Sequence, residues 1–168
     1  LGVAGPLKIN GEYAKGELYI PLATTVGPLV ASVNRGCSVC TQSGGVNVAI
    51  MQDEMTRAPV VKATNLKEAR RLADAVRTPE LFTEMKAIAG TTTRHGELLR
   101  VDPYVVGRSV FLRLAFDTKD AMGMNMVTIA SDAVMRHIEK KFDVRLVALS
   151  SNMCTDKKPA AINITEGR

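Results

Sequence analysis

Residues 109–126 read SVFLRLAFDTKDAMGMNM. Val110, Leu112, Leu114 and Phe116 alternate strictly with other side chains, which predicts a strand with one face turned to a core. At Asp120–Met126, DAMGMNM, the pattern changes to a strand-to-helix junction. Gly123 there lets a ligand approach the backbone, and the unpaired N–H groups of a helix start suit a phosphate or another anion. The stretch is not a G-x-G-x-x-G, so the ordinary dinucleotide-binding fold is not indicated. A methionine-rich helix start also reads as core, and both readings stand at this point.

Working outward, residues 97–106 predict a strand joined near Gly107 to the strand above, as a hairpin. A helix is predicted from about Met122 to Lys141, with Met126, Ala130, Ala133, Val134 and Ile138 inward, followed by a strand from Val144 to Leu149. Upstream, Asn65 with Glu68 three positions later resembles a capping box, and Leu66, Ala69, Leu72, Ala73 and Val76 form one helical face. Thr78-Pro79 starts a second helix with Phe82, Met85, Ile88 and Ala89 inward. Residues 46–63 are short-range apolar and β-branched, which predicts strand. The order strand, helical segment, hairpin, helix, strand over 46–149 predicts an α+β sandwich of ferredoxin-like type. The flanks, 1–45 and 150–168, are assigned to a second domain. In the first flank a strand, a tight turn at Asn10-Gly11 and a strand through Leu18-Tyr19-Ile20 precede a helix over 26–42. That helix takes Thr25 as its N-cap and turns Leu29, Val30, Val33, Cys37 and Cys40 to one side.

Composition narrows the function classes. The net charge of +5 is spread along the chain and aromatics are only 4%, too few for base-stacking platforms, so an anionic small ligand suits the chain better than nucleic acid. No stretch approaches the roughly 20 consecutive apolar residues of a membrane span, and the N-terminal LGVAGPLKING lacks signal-peptide order. The three cysteines speak against a disulfide framework and for a reducing, cytoplasmic compartment. Cys37-x-x-Cys40 reads first as two small residues on a helix face, with a redox pair or half a zinc site as the alternative. Thr91–His95 joins three hydroxyls to a guanidinium, which fits a phosphate or a plain polar loop. Lys157-Lys158 before Pro159 reads by itself as a solvated turn.

Five stretches change the weight of these readings: GVAGPL at 2–7, ATTVGPLVASVNRGC at 23–37, MTRAP at 55–59, DAMGMNM at 120–126 and SSNMCTDKKPAAIN at 150–163. In order and spacing they resemble the catalytic domain of the 3-hydroxy-3-methylglutaryl-coenzyme A (HMG-CoA) reductase family, in its class I, NADPH-using branch. The resemblance covers essentially the whole chain. It implies the N-terminal part of that domain: residues 1–45 beginning the large substrate domain, 46–149 forming an inserted ferredoxin-like NADP-binding domain, and 150–168 returning to the substrate domain. It also implies reduction of the HMG-CoA thioester to mevalonate and coenzyme A in two hydride transfers, as a homodimer or larger assembly.

Carried across residue by residue, the resemblance makes Lys157 the cation that stabilises the oxyanion formed as hydride arrives. Arg57, Ser150, Asn152, Asp156 and Lys158 match substrate-binding positions, and Ser32, Asn34 and Arg35 match positions near coenzyme A. Thr93 and Arg94 match the 2′-phosphate side of NADPH. Asp120, Met122, Gly123, Met124, Asn125 and Met126 match the turn against the cofactor, and no metal is implied. The sequence departs from the family in four places. Val26 stands where the family has a proton-donating glutamate. Lys119 and Ser151 stand where glycine is expected, each adding a side chain at a turn, with backbone strain as the expectation. His95 occupies a position usually aromatic. The family's catalytic aspartate and histidine and its glycine-rich nucleotide segment would lie past Arg168. A chain without the glutamate can also be read as a non-catalytic nucleotide-binding module.

Overall fold

The computed structural model describes residues 1–155. The chain forms two compact units that divide between Met51 and Gln52. No helix among the described residues is long and apolar enough to cross a membrane.

In the first unit, strands β1 (Gly2–Gly11) and β2 (Lys15–Leu22) pair antiparallel, with Ile9 opposite Gly16 and Gly2 opposite Leu22. Helix α1 (Gly27–Gln42) packs on β1, and β3 (Val46–Val48) returns parallel to β1. The turn falls at 12–14 rather than at the predicted Asn10-Gly11. Both of those residues belong to β1, Asn10 lies opposite Lys15, and the Gly11 N–H donates to Ala14 O at 2.9 Å, so the strands extend past the apolar residues that signalled them. The N-cap is Val26 rather than Thr25; it makes no side-chain cap, and its own N–H donates to Thr24 Oγ1 at 3.2 Å. Of the five residues predicted to face inward on α1, Cys37 alone is buried, and Leu29 is half exposed. One helix and three strands do not supply enough surface to cover that face.

The second unit holds β4 (Met55–Arg57), β5 (Val60–Ala63), α2 (Leu66–Ala75), α3 (Pro79–Gly90), β6 (Glu97–Val106), β7 (Ser109–Asp117), α4 (Met124–Lys141) and β8 (Val144–Ala148). Strand β7 is central. It pairs antiparallel with β6 along its whole length on one side, and with β4 and then β5 on the other, where Arg57 faces Leu114 and Val60 faces Phe111. Strand β8 pairs antiparallel with β5. The turn Ala58-Pro59 thus splits the predicted 46–63 strand into two short pieces along one edge of β7, with β3 belonging to the other unit. The result is a mixed α+β fold.

The predicted alternation on β7 holds: Val110, Leu112, Leu114 and Phe116 are all buried at 1% exposure or less. They meet Leu72 and Val76, Leu81 and Met85, and Val127, Val134 and Ile138 from the helices in one core. Truncating a fully buried phenylalanine such as Phe116 costs about 3–5 kcal/mol. The helix starts follow their sequence signals. Asn65 Oδ1 accepts the Glu68 N–H at 2.9 Å, and Thr78 Oγ1 accepts the Leu81 N–H at 3.4 Å; such a cap contributes about 1 kcal/mol. The inward faces differ in detail. Leu66 is exposed, while Leu81, Val127, Ser131 and Met135 are buried in addition to the predicted residues. Met126 and Ala133 are only half-buried. Helix α4 begins at Met124, later than the sequence suggested, so its inward stripe is phased from Val127.

Candidate functional site

Strand β7 ends at Asp117 and α4 starts seven residues later. The turn between is held by Thr118, whose Oγ1 donates to Ala121 O at 2.6 Å while the Ala121 N–H donates to Thr118 O at 3.1 Å. Gly123, the N-cap, is left-handed at φ 75°. Lys119 is also left-handed at φ 53°, as expected of a residue standing in for glycine. Asp117 accepts both the Lys119 N–H, at 2.8 Å, and its ammonium, and these bonds hold the Asp117 carboxyl below the usual range. The first turn of α4 has neither a side-chain cap nor an acidic residue. Its N–H groups and positive dipole end therefore suit an anion.

The loop after α3 approaches this helix start. Thr93 Oγ1 accepts the N–H groups of His95, at 3.1 Å, and Gly96, at 3.2 Å, and donates to Met126 Sδ at 2.8 Å. The hydroxyl is thus engaged in the turn, and the exposed Arg94 and His95 project at its tip. Asp120, Met122 and Asn125 are exposed around the start of α4, with Met124 half-buried.

Met124 leads to Arg57. Arg57 is buried on β4, and its Nη2 donates to Met124 Sδ at 3.5 Å. Its Nη1 lies 3.9 Å from Cys154 Sγ. The structure therefore brings together the predicted acid-binding arginine, the predicted cofactor turn and the segment 150–155. That segment is fastened by side chains: Ser151 Oγ donates to Ala58 O at 2.6 Å, the Ala58 N–H donates to Cys154 Sγ at 3.2 Å, and the Thr56 and Thr155 hydroxyls meet at 3.2 Å. Ser150 and Asn152 remain exposed beside it. Ser151 does not carry the strain expected of it, since Lys119 is the one non-glycine residue with positive φ among those described. Its hydroxyl makes the tie to Ala58 and accepts the Met153 N–H at 3.3 Å, bonds that glycine could not form. Asp156, Lys157 and Lys158 lie outside the described residues.

In the first unit Ser32, Asn34 and Arg35 are exposed on α1. Asn34 Oδ1 accepts the Gly5 N–H at 2.9 Å, which ties the helix to β1. Val26 stands 56% exposed at the start of α1. Cys37 and Cys40 are free thiols, and no cluster of metal-ligating residues occurs among the described residues. Sequence reasoning missed Cys154 and Thr56 as tethers. Their signal was present in the two stretches MTRAP and SSNMCTDKKPAAIN, but nothing in either one says that they touch.

The family model for hydroxymethylglutaryl-coenzyme A reductase matches residues 1–168. The chain belongs to the HMG-CoA reductase family. It is 58% identical to the 3-hydroxy-3-methylglutaryl-coenzyme A reductase of Pyrococcus abyssi over the whole chain, 52% to that of Methanocaldococcus jannaschii and 43% to reductase 1 of Dictyostelium discoideum. It spans 41%, 42% and 30% of those relatives. Among solved structures it is similar to the class II HMG-CoA reductase of Streptococcus pneumoniae in an NADPH-bound form. The TM-score is 0.63 at 19% identity, over 93% of this chain and 43% of that one, a likeness of fold.

Proposed function

We propose that this chain is the part of an HMG-CoA reductase that binds NADPH and the acid end of the substrate. The protein would reduce the thioester to mevalonate and coenzyme A. The observation that carries the reading is the 3.5 Å contact of Arg57 with Met124. An arginine suited to a carboxylate and a helix start suited to a nucleotide anion share one place.

Family membership and this geometry support the following roles. Arg57, with Ser150, Asn152, Asp156 and Lys158, binds the hydroxymethylglutaryl group. Lys157 stabilises the oxyanion that develops on the thioester carbonyl. The α4 start at Gly123–Met126, with Asp120, Met122 and Arg94, takes NADPH; Thr93 holds the turn that carries Arg94, and the Arg94 guanidinium meets the 2′-phosphate. NADPH, when bound, supplies hydride. Ser32, Asn34 and Arg35 lie along coenzyme A. The strand order β8-β5-β7-β6, with the helices connecting β5 to β6 and β7 to β8, supports reading the second unit as a ferredoxin-like NADP-binding domain. On this reading the domain is inserted into the substrate domain, from which 1–45 and 150–168 come. A homodimer or larger assembly in the cytoplasm completes the proposal.

Val26 favours a second reading, in which nucleotide binding persists without turnover, because valine cannot transfer a proton. One assay separates the two: HMG-CoA-dependent NADPH oxidation by the complete protein. The reductase reading expects turnover that falls at least about 100-fold in Lys157→Ala, the scale of losing an oxyanion-stabilising group. NADPH binding with no HMG-CoA-dependent oxidation supports the module.

A further inference from the structure

A buried cysteine usually packs as a small hydrophobe. Cys154 is fully buried, yet its sulfur is surrounded by donors. The Ala58 N–H reaches it at 3.2 Å, the Ser151 N–H at 3.4 Å, Ser150 Oγ at 3.4 Å and Arg57 Nη1 at 3.9 Å. Its own outlet as a donor is Ala58 O at 3.8 Å, an oxygen that Ser151 Oγ already occupies at 2.6 Å. Cys154 is therefore chiefly an acceptor. Burial pushes its thiol pKa up, but the Ser150 hydroxyl, the two backbone N–H groups and the Arg57 charge outweigh this and leave it below the ordinary thiol range.

We propose that Cys154 is a positioning residue for Arg57, its sulfur fixing the guanidinium plane and the backbone of Ala58 so that Arg57 presents itself to the substrate's carboxylate. This rests on reading Arg57 as the carboxylate-binding group. Long arginine side chains lose much rotamer freedom on binding, and a guanidinium already held in place loses less. Two sulfurs, Cys154 Sγ on Nη1 and Met124 Sδ on Nη2, contribute to holding it, from two separate elements. Sulfur is a weak acceptor, so it orients a guanidinium without outcompeting a carboxylate, whose charge-assisted bond is stronger. Cys154 also stands three residues before Lys157 in the chain. Its tether to Ala58 holds Cys154 itself beside the β4–β5 connection.

The test is calorimetric titration of 3-hydroxy-3-methylglutarate into the complete protein, with NADPH titrated as the control. Cys154→Ala is expected to weaken the acid about tenfold, a 1.4 kcal/mol effect, with NADPH affinity held within about twofold, and Cys154→Ser to recover all but about two- to threefold of the loss. In an Arg57→Ala background, Cys154→Ala should add nothing, which is the mark of one acting through the other. Parent-like binding of the acid by Cys154→Ala overturns the proposal. So does equal weakening of acid and NADPH with a lowered Tm, which would leave Cys154 a purely structural tether. If Arg57→Ala itself leaves acid binding unchanged, the reading of Arg57 fails and the positioning role falls with it. If Arg57→Ala weakens the acid and Cys154→Ala does not, the positioning role alone fails. Should Cys154→Ala not fold, the loss in Cys154→Ser carries the test, and equality with the parent overturns it.

Discussion

A Cβ on Gly123 would lie 2.5 Å from Cγ2 of Thr118 and 2.7 Å from its Cβ. Thr118 cannot swing away cheaply, because its hydroxyl holds Ala121 O and so closes the turn. Gly123 is also left-handed, a conformation that costs L-residues about 1–2 kcal/mol. Gly123→Ala is therefore predicted to destabilise the fold by about 2 kcal/mol or more. It should also weaken NADPH, because the displaced turn carries the open N–H groups of α4. Urea unfolding and nucleotide titration of the same variant check both outcomes, and a parent-like urea midpoint would contradict the geometry.

Val26 sits at the exposed N-cap of α1 with no acidic residue in the first turn. Val26→Glu places a carboxylate at the positive end of a helix dipole and buries nothing. Its effect on stability should be favourable and small, about 0.3–1 kcal/mol. In the complete protein it is predicted to raise HMG-CoA-dependent NADPH oxidation, because it supplies a group that can exchange a proton. The 168-residue chain by itself is predicted to show no detectable turnover with either residue. A turnover rate in the complete protein that ignores the substitution would show that the proton comes from elsewhere.

Glu84 on α3 accepts from His137 Nε2 at 2.9 Å and from the Lys141 ammonium, tying α3 to the last turns of α4. Lys141 first and His137 second hold its carboxyl below the usual range. A depressed carboxylate contributes stability that is present above the unfolded pKa of about 4.3. That stability is lost as pH falls through the lower folded value. Glu84→Gln should lower Tm relative to the parent at pH 6–7, and the two proteins should converge as pH falls below about 4. A difference that persists unchanged into acid would assign the effect to packing.

Much of the second unit was legible because its signals are local. The alternation on β7, the caps at Asn65 and Thr78 and the glycine at 123 each state their structure within a few residues. The errors have physical causes. Leu66 was assigned inward by periodicity, but it stands at the first turn of α2, beyond the reach of the sheet. The split of residues 46–63 into three strands follows from pairing partners that no local pattern names. Ser151 was read as an obstruction because only its backbone cost was legible; its hydroxyl bond spans 93 residues to Ala58. The same holds for Cys154, whose role depends on donors from β4 and from its own segment.

The central claim is that the α4 start and the loop at Thr93-Arg94 form an NADPH site, and calorimetric titration of NADPH and NADH into the complete protein tests it most directly. Arg94 is exposed at the tip of a loop whose threonine is spent on the turn itself, so the guanidinium is left to discriminate the 2′-phosphate. The account predicts NADPH bound about tenfold or more tightly than NADH, with Arg94→Ala abolishing the preference while leaving NADH affinity unchanged. Equal affinity for the two nucleotides, or an Arg94→Ala variant that keeps the parent's preference, would contradict it.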